Sequence, residues 1–96
     1  MFVLITYDVS TAEKKGQRRL RRIAEACKDY GIRAQKSVFE CRVGRAEWAA
    51  LRNRLLKEID TSRDSLRFYF LDDSAVDKIE HHGVTEPLDL DKPLVL

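Results

Sequence analysis

The chain has 96 residues, of which 44% are hydrophobic and 35% are charged. This size and composition fit one small globular domain, and no apolar run approaches the ~20 residues that a membrane span requires. Residues 1–68 carry a charge balance of +7 and residues 69–96 a balance of −5, which together give the formal net charge of +2. A basic body with an acidic tail indicates a polyanionic partner, although charge alone fits a well-solvated surface equally well.

The first predicted element is a strand over residues 2–9, which is nearly all apolar or β-branched before it reaches Asp8. Such a strand is typical of the buried centre of a sheet. A buried carboxylate is costly unless it finds a partner, so the position of Asp8 is the main functional clue. The alternative is that Asp8 caps the next helix or ends its strand in a turn, with Ser10 and Thr11 as further N-cap candidates.

The second element is a helix predicted over residues 12–30, with an apolar face and a basic face. The apolar face includes Gly16, Leu20, Ile23, Ala24 and Cys27. The opposite arc carries the cations Lys14, Lys15, Arg18, Arg19, Arg21 and Arg22. Gly31 is predicted to end the helix in a left-handed conformation.

A strand predicted over residues 33–43 follows, and its alternation indicates one half-buried face. We place the turn at residues 44–45 and expect that a further short strand is hidden near residues 41–46. A second helix is predicted over residues 46–59, with Trp48 on its apolar stripe, where a core position is expected.

The last third of the chain carries weaker signals. After a polar loop, residues 66–71 alternate as a strand, and residues 75–82 fit either a short strand or a helical turn. The chain ends in three apolar residues, 94–96, which would be an exposed liability unless they pair with a neighbouring sheet.

The order of these elements predicts an α+β protein with a ferredoxin-like βαββαβ fold, the split βαβ arrangement, and an extra C-terminal strand. Residues 1–72 would form the core, and residues 73–96 an extension whose short strand pairs with a partner protomer. Two helices would cover one face of the sheet, and the other face would be too apolar for water. A sheet-to-sheet homodimer would cover it.

In a two-fold dimer, a residue near the axis meets its own symmetry mate. Two copies of Asp8 would then face each other, which is unfavourable unless a proton or cation lies between them. Mg²⁺ suits such a site because it accepts one or two carboxylates and keeps several waters, and Mn²⁺ would suit it as well. Bound there, such an ion would activate a water against a phosphodiester.

Several motifs resemble those of a known family. They are Tyr7-Asp8-Val9 after an apolar strand, the run of residues 18–22, Asp29-Tyr30-Gly31, and residues 33–40. Together they resemble the small CRISPR-associated endonucleases of the spacer-acquisition machinery, with matching spacing over residues 1–71. The resemblance implies a ferredoxin-like homodimer, a metal-dependent nuclease activity on single-stranded RNA or double-stranded DNA, and an integrase partner. It also implies a fifth strand near residues 78–83.

Carried over by position, the resemblance assigns a role to each candidate residue. Asp8 would bind the metal and act in catalysis with Tyr7. Ser37 and Phe39 would support the site around the second strand. The nucleic-acid contacts would be Arg18, Arg19 and Arg33, to which the basic arc of the first helix adds Arg22.

Two alternatives to a nuclease of the spacer-acquisition machinery remain open on the sequence. One is a non-catalytic scaffold that binds duplex DNA and bridges integrase dimers, and the other is a toxin-type ribonuclease of the same fold. Cys27 and Cys41 form no C-x-x-C pair, so we expect buried free thiols and a cytoplasmic protein. His81 and His82 point in opposite directions if they lie on a strand, which disfavours a shared ion.

Overall fold

The computed structural model describes residues 1–84, so the predicted pairing of the apolar residues 94–96 lies outside the described residues. Six helices and strands follow one another in the order βαββαβ, and a 3-10 helix over Asp73–Lys78 comes after them. The six are β1 (Phe2–Asp8), α1 (Lys14–Tyr30), β2 (Ile32–Gln35), β3 (Val38–Arg42), α2 (Arg45–Glu58) and β4 (Ser65–Leu71). The predicted α+β, ferredoxin-like fold class is confirmed.

One four-stranded sheet has the strand order β2-β3-β1-β4, and every neighbouring pair is antiparallel. β1 is therefore an inner strand, hydrogen-bonded to β3 on one side and to β4 on the other. Its last residue, Asp8, lies opposite Ser65 at the start of β4. Both helices lie on the same face of the sheet.

The core lies between the sheet and the two helices. Alternate residues of β1, which are Val3, Ile5 and Tyr7, are buried there. They pack in one cluster with residues of the helices and of β3, including Ile23, Cys27, Leu51, Leu55, Phe39 and Cys41. Because strand side chains alternate between faces, Asp8 belongs to the face opposite α1 and α2.

The prediction of one continuous strand over residues 33–43 is wrong. The chain reverses at residues 36–37, so this segment forms the antiparallel pair β2 and β3. The turn residues are Lys36 and Ser37, so the turn carries no glycine, proline or asparagine signal. The register of β2 against β3 is also irregular between Arg33 and Gln35. Gly44 instead precedes α2, where its N–H donates to Glu47 Oε1 at 3.1 Å.

Both ends of α1 also differ from the prediction. The helix starts at Lys14, and the residue before it is Glu13, which makes no side-chain capping bond, so Ser10 and Thr11 are not caps. Gly31 is extended, with φ of −155°, rather than left-handed. It is required for another reason, because a Cβ there would lie 2.4 Å from Cys41 Sγ.

The segment after β4 forms the 3-10 helix, which confirms the helical turn among the two alternatives. The fifth strand expected near residues 78–83 is absent from the described part of the chain, where no strand follows β4. A strand needs a neighbour to accept its hydrogen bonds, and a partner protomer was the expected neighbour. No helix within residues 1–84 is long and apolar enough to cross a membrane.

Candidate metal and nucleic-acid site

The carboxylate of Asp8 is exposed at the end of the most buried strand. It lies on the face of the sheet opposite the helices, which we call the open face. Thr6 lies on the same face between Val38 of β3 and Arg67 of β4. Asp8 is therefore held by the regular backbone of an inner strand, which gives it a fixed direction.

The open face is apolar away from this acid, beyond the polar residues that adjoin it. Its exposed apolar side chains include Tyr69, Leu71 and Ile32, which are 38%, 42% and 73% exposed. Leu4 is half-buried at the centre of the face. The guanidinium of Arg67 lies 5.1 Å from the centre of the Tyr69 ring, so this arginine covers part of the apolar surface.

The donor set of one chain is small. Within residues 1–84, no group of three His, Cys, Asp or Glu side chains is placed to hold a metal ion. A single exposed carboxylate is nevertheless a suitable Mg²⁺ ligand when a second carboxylate and waters complete the shell. Asp8 fits such an ion as one half of a site.

The structure does not bring Tyr7 and Asp8 together as a catalytic pair. Tyr7 is 6% exposed and points into the core, where its hydroxyl donates to the backbone oxygen of Lys36 at 3.2 Å. Burial raises the pKa of Tyr7 above its ordinary value, and a hydrogen bond from Arg33 opposes that rise. The neutral Tyr7 phenol therefore lies on the opposite face from Asp8, and its hydrogen bond holds the β2–β3 turn against β1.

Arg33 and Phe39 also lie on the helix-covered face. The guanidinium of Arg33 lies 5.0 Å from the centre of the Phe39 ring, and its Nε atom is buried with no hydrogen-bond partner among residues 1–84. Phe39 is fully buried, as a core residue is. Ser37 forms part of the turn, where its backbone oxygen accepts a hydrogen bond from the Tyr7 N–H at 3.1 Å.

Three of the four arginines of α1 were assigned to nucleic-acid contact, and their environments differ. Arg18 is exposed and makes no ion pair within residues 1–84. Arg22 is exposed and lies 3.6 Å from Glu58. Arg19, in contrast, is half-buried, and its Nε and Nη2 atoms donate to Asp64 at 2.8 and 3.1 Å.

Asp64 is the functional candidate that the sequence interpretation missed. Its side chain is fully buried, and it accepts hydrogen bonds from the backbone N–H groups of Ser10 and Asp60, both at 3.0 Å, as well as from Arg19. These donors, above all the Arg19 side chain, lower the pKa of Asp64 to about 2. The only local signal was a polar turn before a strand, since the arginine partner lies 45 residues away in the chain.

The two cysteines are free and buried, as predicted. Burial raises the pKa of Cys27 to about 12 and that of Cys41 to about 11. Neither thiol is therefore a nucleophile at neutral pH, because the thiolate is the reactive form.

The fold and this site define a class of protein: a small ferredoxin-like domain that presents one acid from the end of β1 on the sheet face opposite its two α-helices, with a basic helix in the same domain. A sequence model of the family described as CRISPR associated protein Cas2 matches residues 1–79. The chain belongs to this family, which confirms the resemblance found in its motifs.

Individual relatives match most or all of the chain. The CRISPR-associated endoribonuclease Cas2 of Chlorobaculum tepidum is 54% identical over 96 residues, which is 100% of both chains. The CRISPR-associated endonuclease Cas2 of Halalkalibacterium halodurans is 46% identical over 95 residues, covering 99% of each. The crystal structure of Streptococcus pyogenes Cas2 gives a TM-score of 0.76 at 47% identity, covering 86% of this chain and 100% of that one.

Proposed function

We propose that this chain is a metal-dependent endonuclease of CRISPR adaptation that hydrolyses phosphodiester bonds in RNA or DNA. The observation that carries this proposal is the exposed Asp8 carboxylate, fixed at the end of an inner strand on the open face. The names of the two relatives, one an endoribonuclease and the other an endonuclease, support the reaction class.

A second copy of the chain completes the site. The apolar side chains of the open face favour burial, and a two-fold dimer that packs sheet against sheet removes them from water. The same packing brings the two Asp8 side chains towards the axis. Mg²⁺ or Mn²⁺ would relieve their mutual repulsion, with the Asp8 carboxylate of each protomer as a ligand.

Each candidate residue has a role that follows from its position. The two Asp8 carboxylates hold the ion, which supplies a polarised water and stabilises negative charge on the phosphate when bound. Arg18 and Arg22 on α1 contact phosphates away from the reacting bond and set the register of the strand. Tyr7 and Phe39 support the site from the core side by fixing β1, β3 and their connecting turn.

Cleavage assays with Asp8→Asn test this function. Single-stranded RNA and duplex DNA are incubated with wild type and variant in Mg²⁺, in Mn²⁺ and in EDTA. Asp77→Asn is the matched control, since it removes an equally exposed carboxylate from the 3-10 helix. We expect cleavage by wild type and by the control in either metal, and at least a hundredfold loss in Asp8→Asn. Equal cleavage by Asp8→Asn and wild type, with the dimer intact by light scattering, would refute the proposal.

A second function is favoured by Arg18, which is exposed and has no ion-pair partner within residues 1–84. A basic α1 binds duplex DNA without cutting it, so the dimer also serves as a scaffold between DNA and an integrase subunit. In this role, duplex binding depends on salt and on Arg18 but not on Asp8. Co-purification of the integrase subunit with wild type and with a chain truncated after residue 84 tests whether the tail recruits it. We place both activities in the cytoplasm, where buried thiols stay reduced.

A further inference from the structure

The buried Asp64 carboxylate joins three segments of the chain at one point. It accepts a hydrogen bond from the Ser10 N–H in the β1–α1 loop and one from the Asp60 N–H in the α2–β4 loop. Two more come from the Arg19 side chain of α1. All four donor–acceptor distances lie between 2.8 and 3.1 Å, so both carboxylate oxygens are fully used.

These contacts lie on both sides of Asp8. Ser10 follows Asp8 by two residues, and Ser65, which Asp64 directly precedes, is the cross-strand partner of Asp8. A shift of Asp64 therefore moves the loop that leaves Asp8 and the strand that faces it. Charge-assisted hydrogen bonds are the stronger class, which makes this point a firm anchor.

The guanidinium of Arg19 is occupied by its hydrogen bonds to Asp64. Its side chain is 16% exposed, and two of its three guanidinium nitrogens donate to Asp64. Arg18, one position earlier on the helix, is exposed and makes no ion pair within residues 1–84. The two neighbours therefore differ in the feature that phosphate contact requires, which is a free and accessible guanidinium.

We propose that Asp64 and Arg19 form a single positioning pair that fixes the backbone on both sides of Asp8, and that Arg19 does not contact the nucleic acid. The catalytic part of this inference rests on the proposed nuclease function. Asp64 acts through the placement of Asp8, so its loss lowers kcat while the KM for the nucleic acid stays nearly constant. A misplacement of about 1 Å at a reacting centre costs about a hundredfold in rate.

The discriminating variant is Arg19→Lys, with Arg54→Lys as its matched control, because Arg54 also pairs with a carboxylate but lies on α2, outside the proposed nucleic-acid contacts. Lysine keeps the charge that a phosphate contact needs but cannot make the two parallel hydrogen bonds to one carboxylate. The positioning pair predicts a fall in kcat of about tenfold or more for Arg19→Lys, and no change for Arg54→Lys. Equal kcat values for the two lysine variants would overturn the inference.

Combining substitutions tests whether Arg19 and Asp64 act as one unit. The double variant Arg19→Lys with Asp64→Asn is expected to lose no more kcat than the worse of the two single variants. Losses that multiply would mean that the two residues act separately. Circular dichroism sets an assay temperature at which every variant is folded.

Duplex DNA binding provides a readout that does not depend on cleavage. The slope of log affinity against log salt is negative, and each lost phosphate contact reduces its magnitude by about 0.9. We expect this change for Arg18→Ala and an unchanged slope for Arg19→Ala, measured by fluorescence anisotropy. A salt slope of smaller magnitude for Arg19→Ala than for wild type would overturn the inference. Wild type that binds but does not cut would refute the nuclease function, and the slope would still decide the role of Arg19.

Discussion

Gly16 offers a sharp test of how the loop after Asp8 is packed. It is buried in the first turn of α1, and a Cβ added there would lie 1.8 Å from the Ser10 backbone oxygen and 2.9 Å from its carbonyl carbon. Real Cβ atoms do not approach other atoms closer than about 3.0 Å. Gly16→Ala therefore forces the loop away from the helix, and the backbone atoms involved cannot rotate aside as a side chain would.

The magnitude follows from two opposing effects. Alanine favours a helix interior over glycine by about 1 kcal/mol. Overpacking a filled site costs about 1–3 kcal/mol, and the upper end applies here because backbone must move. The net loss is roughly 2 kcal/mol, which corresponds to a fall in Tm of about 8–16 °C for a domain of this size.

Thermal unfolding by circular dichroism measures this effect. Gly44→Ala is the control, because its Cβ would meet only the Glu47 side chain at 3.5 Å, an ordinary contact. We expect the Tm of Gly44→Ala to stay close to wild type and that of Gly16→Ala to fall by the stated amount. A Tm for Gly16→Ala equal to or above wild type would show that the loop does not lie against α1 as described.

Three further predictions concern charge and thiols. Because the pKa of Asp64 lies below its usual 3.8, its contribution to stability is present above about pH 4 and is lost as the pH falls towards 2. Urea unfolding should therefore show Asp64→Asn less stable than wild type by roughly 2 kcal/mol at pH 7, with a smaller difference at pH 3. Cys27 and Cys41 should react with a thiol reagent at pH 8 only after denaturation, and rapid reaction of the native protein would contradict their burial. Arg54→Ala should cost less than 1 kcal/mol, since the Arg54–Asp29 pair is exposed.

The sequence predicted those parts of the fold that depend on local periodicity. The strand through Asp8 and the two helices follow from runs of apolar residues whose spacing matches their secondary structure. The β2–β3 turn was missed because serine is a weaker turn signal than glycine, proline, asparagine or aspartate, and the alternation continues through Lys36 and Ser37. Register and tertiary contacts, rather than a local signal, decide where that reversal occurs.

The candidate site was predictable only in part, for a similar reason. Asp8 could be recognised because an acid ends an apolar strand. The different environments of Arg18 and Arg19 could not be predicted, because these two residues differ only in whether α1 directs them towards the α2–β4 loop. The burial of Asp64 depends on three segments that meet in space, and composition within residues 60–64 does not reveal that meeting.

A subunit-mixing experiment tests the central claim, that two copies of Asp8 share one site. Wild type and Asp8→Asn chains are unfolded together in equal amounts and refolded, so that they pair at random, and the cleavage rate in Mn²⁺ is measured. A shared site requires both carboxylates, so the rate should fall to about one quarter of that of undiluted wild type. A rate of about one half would mean that each Asp8 works alone, which would contradict the account.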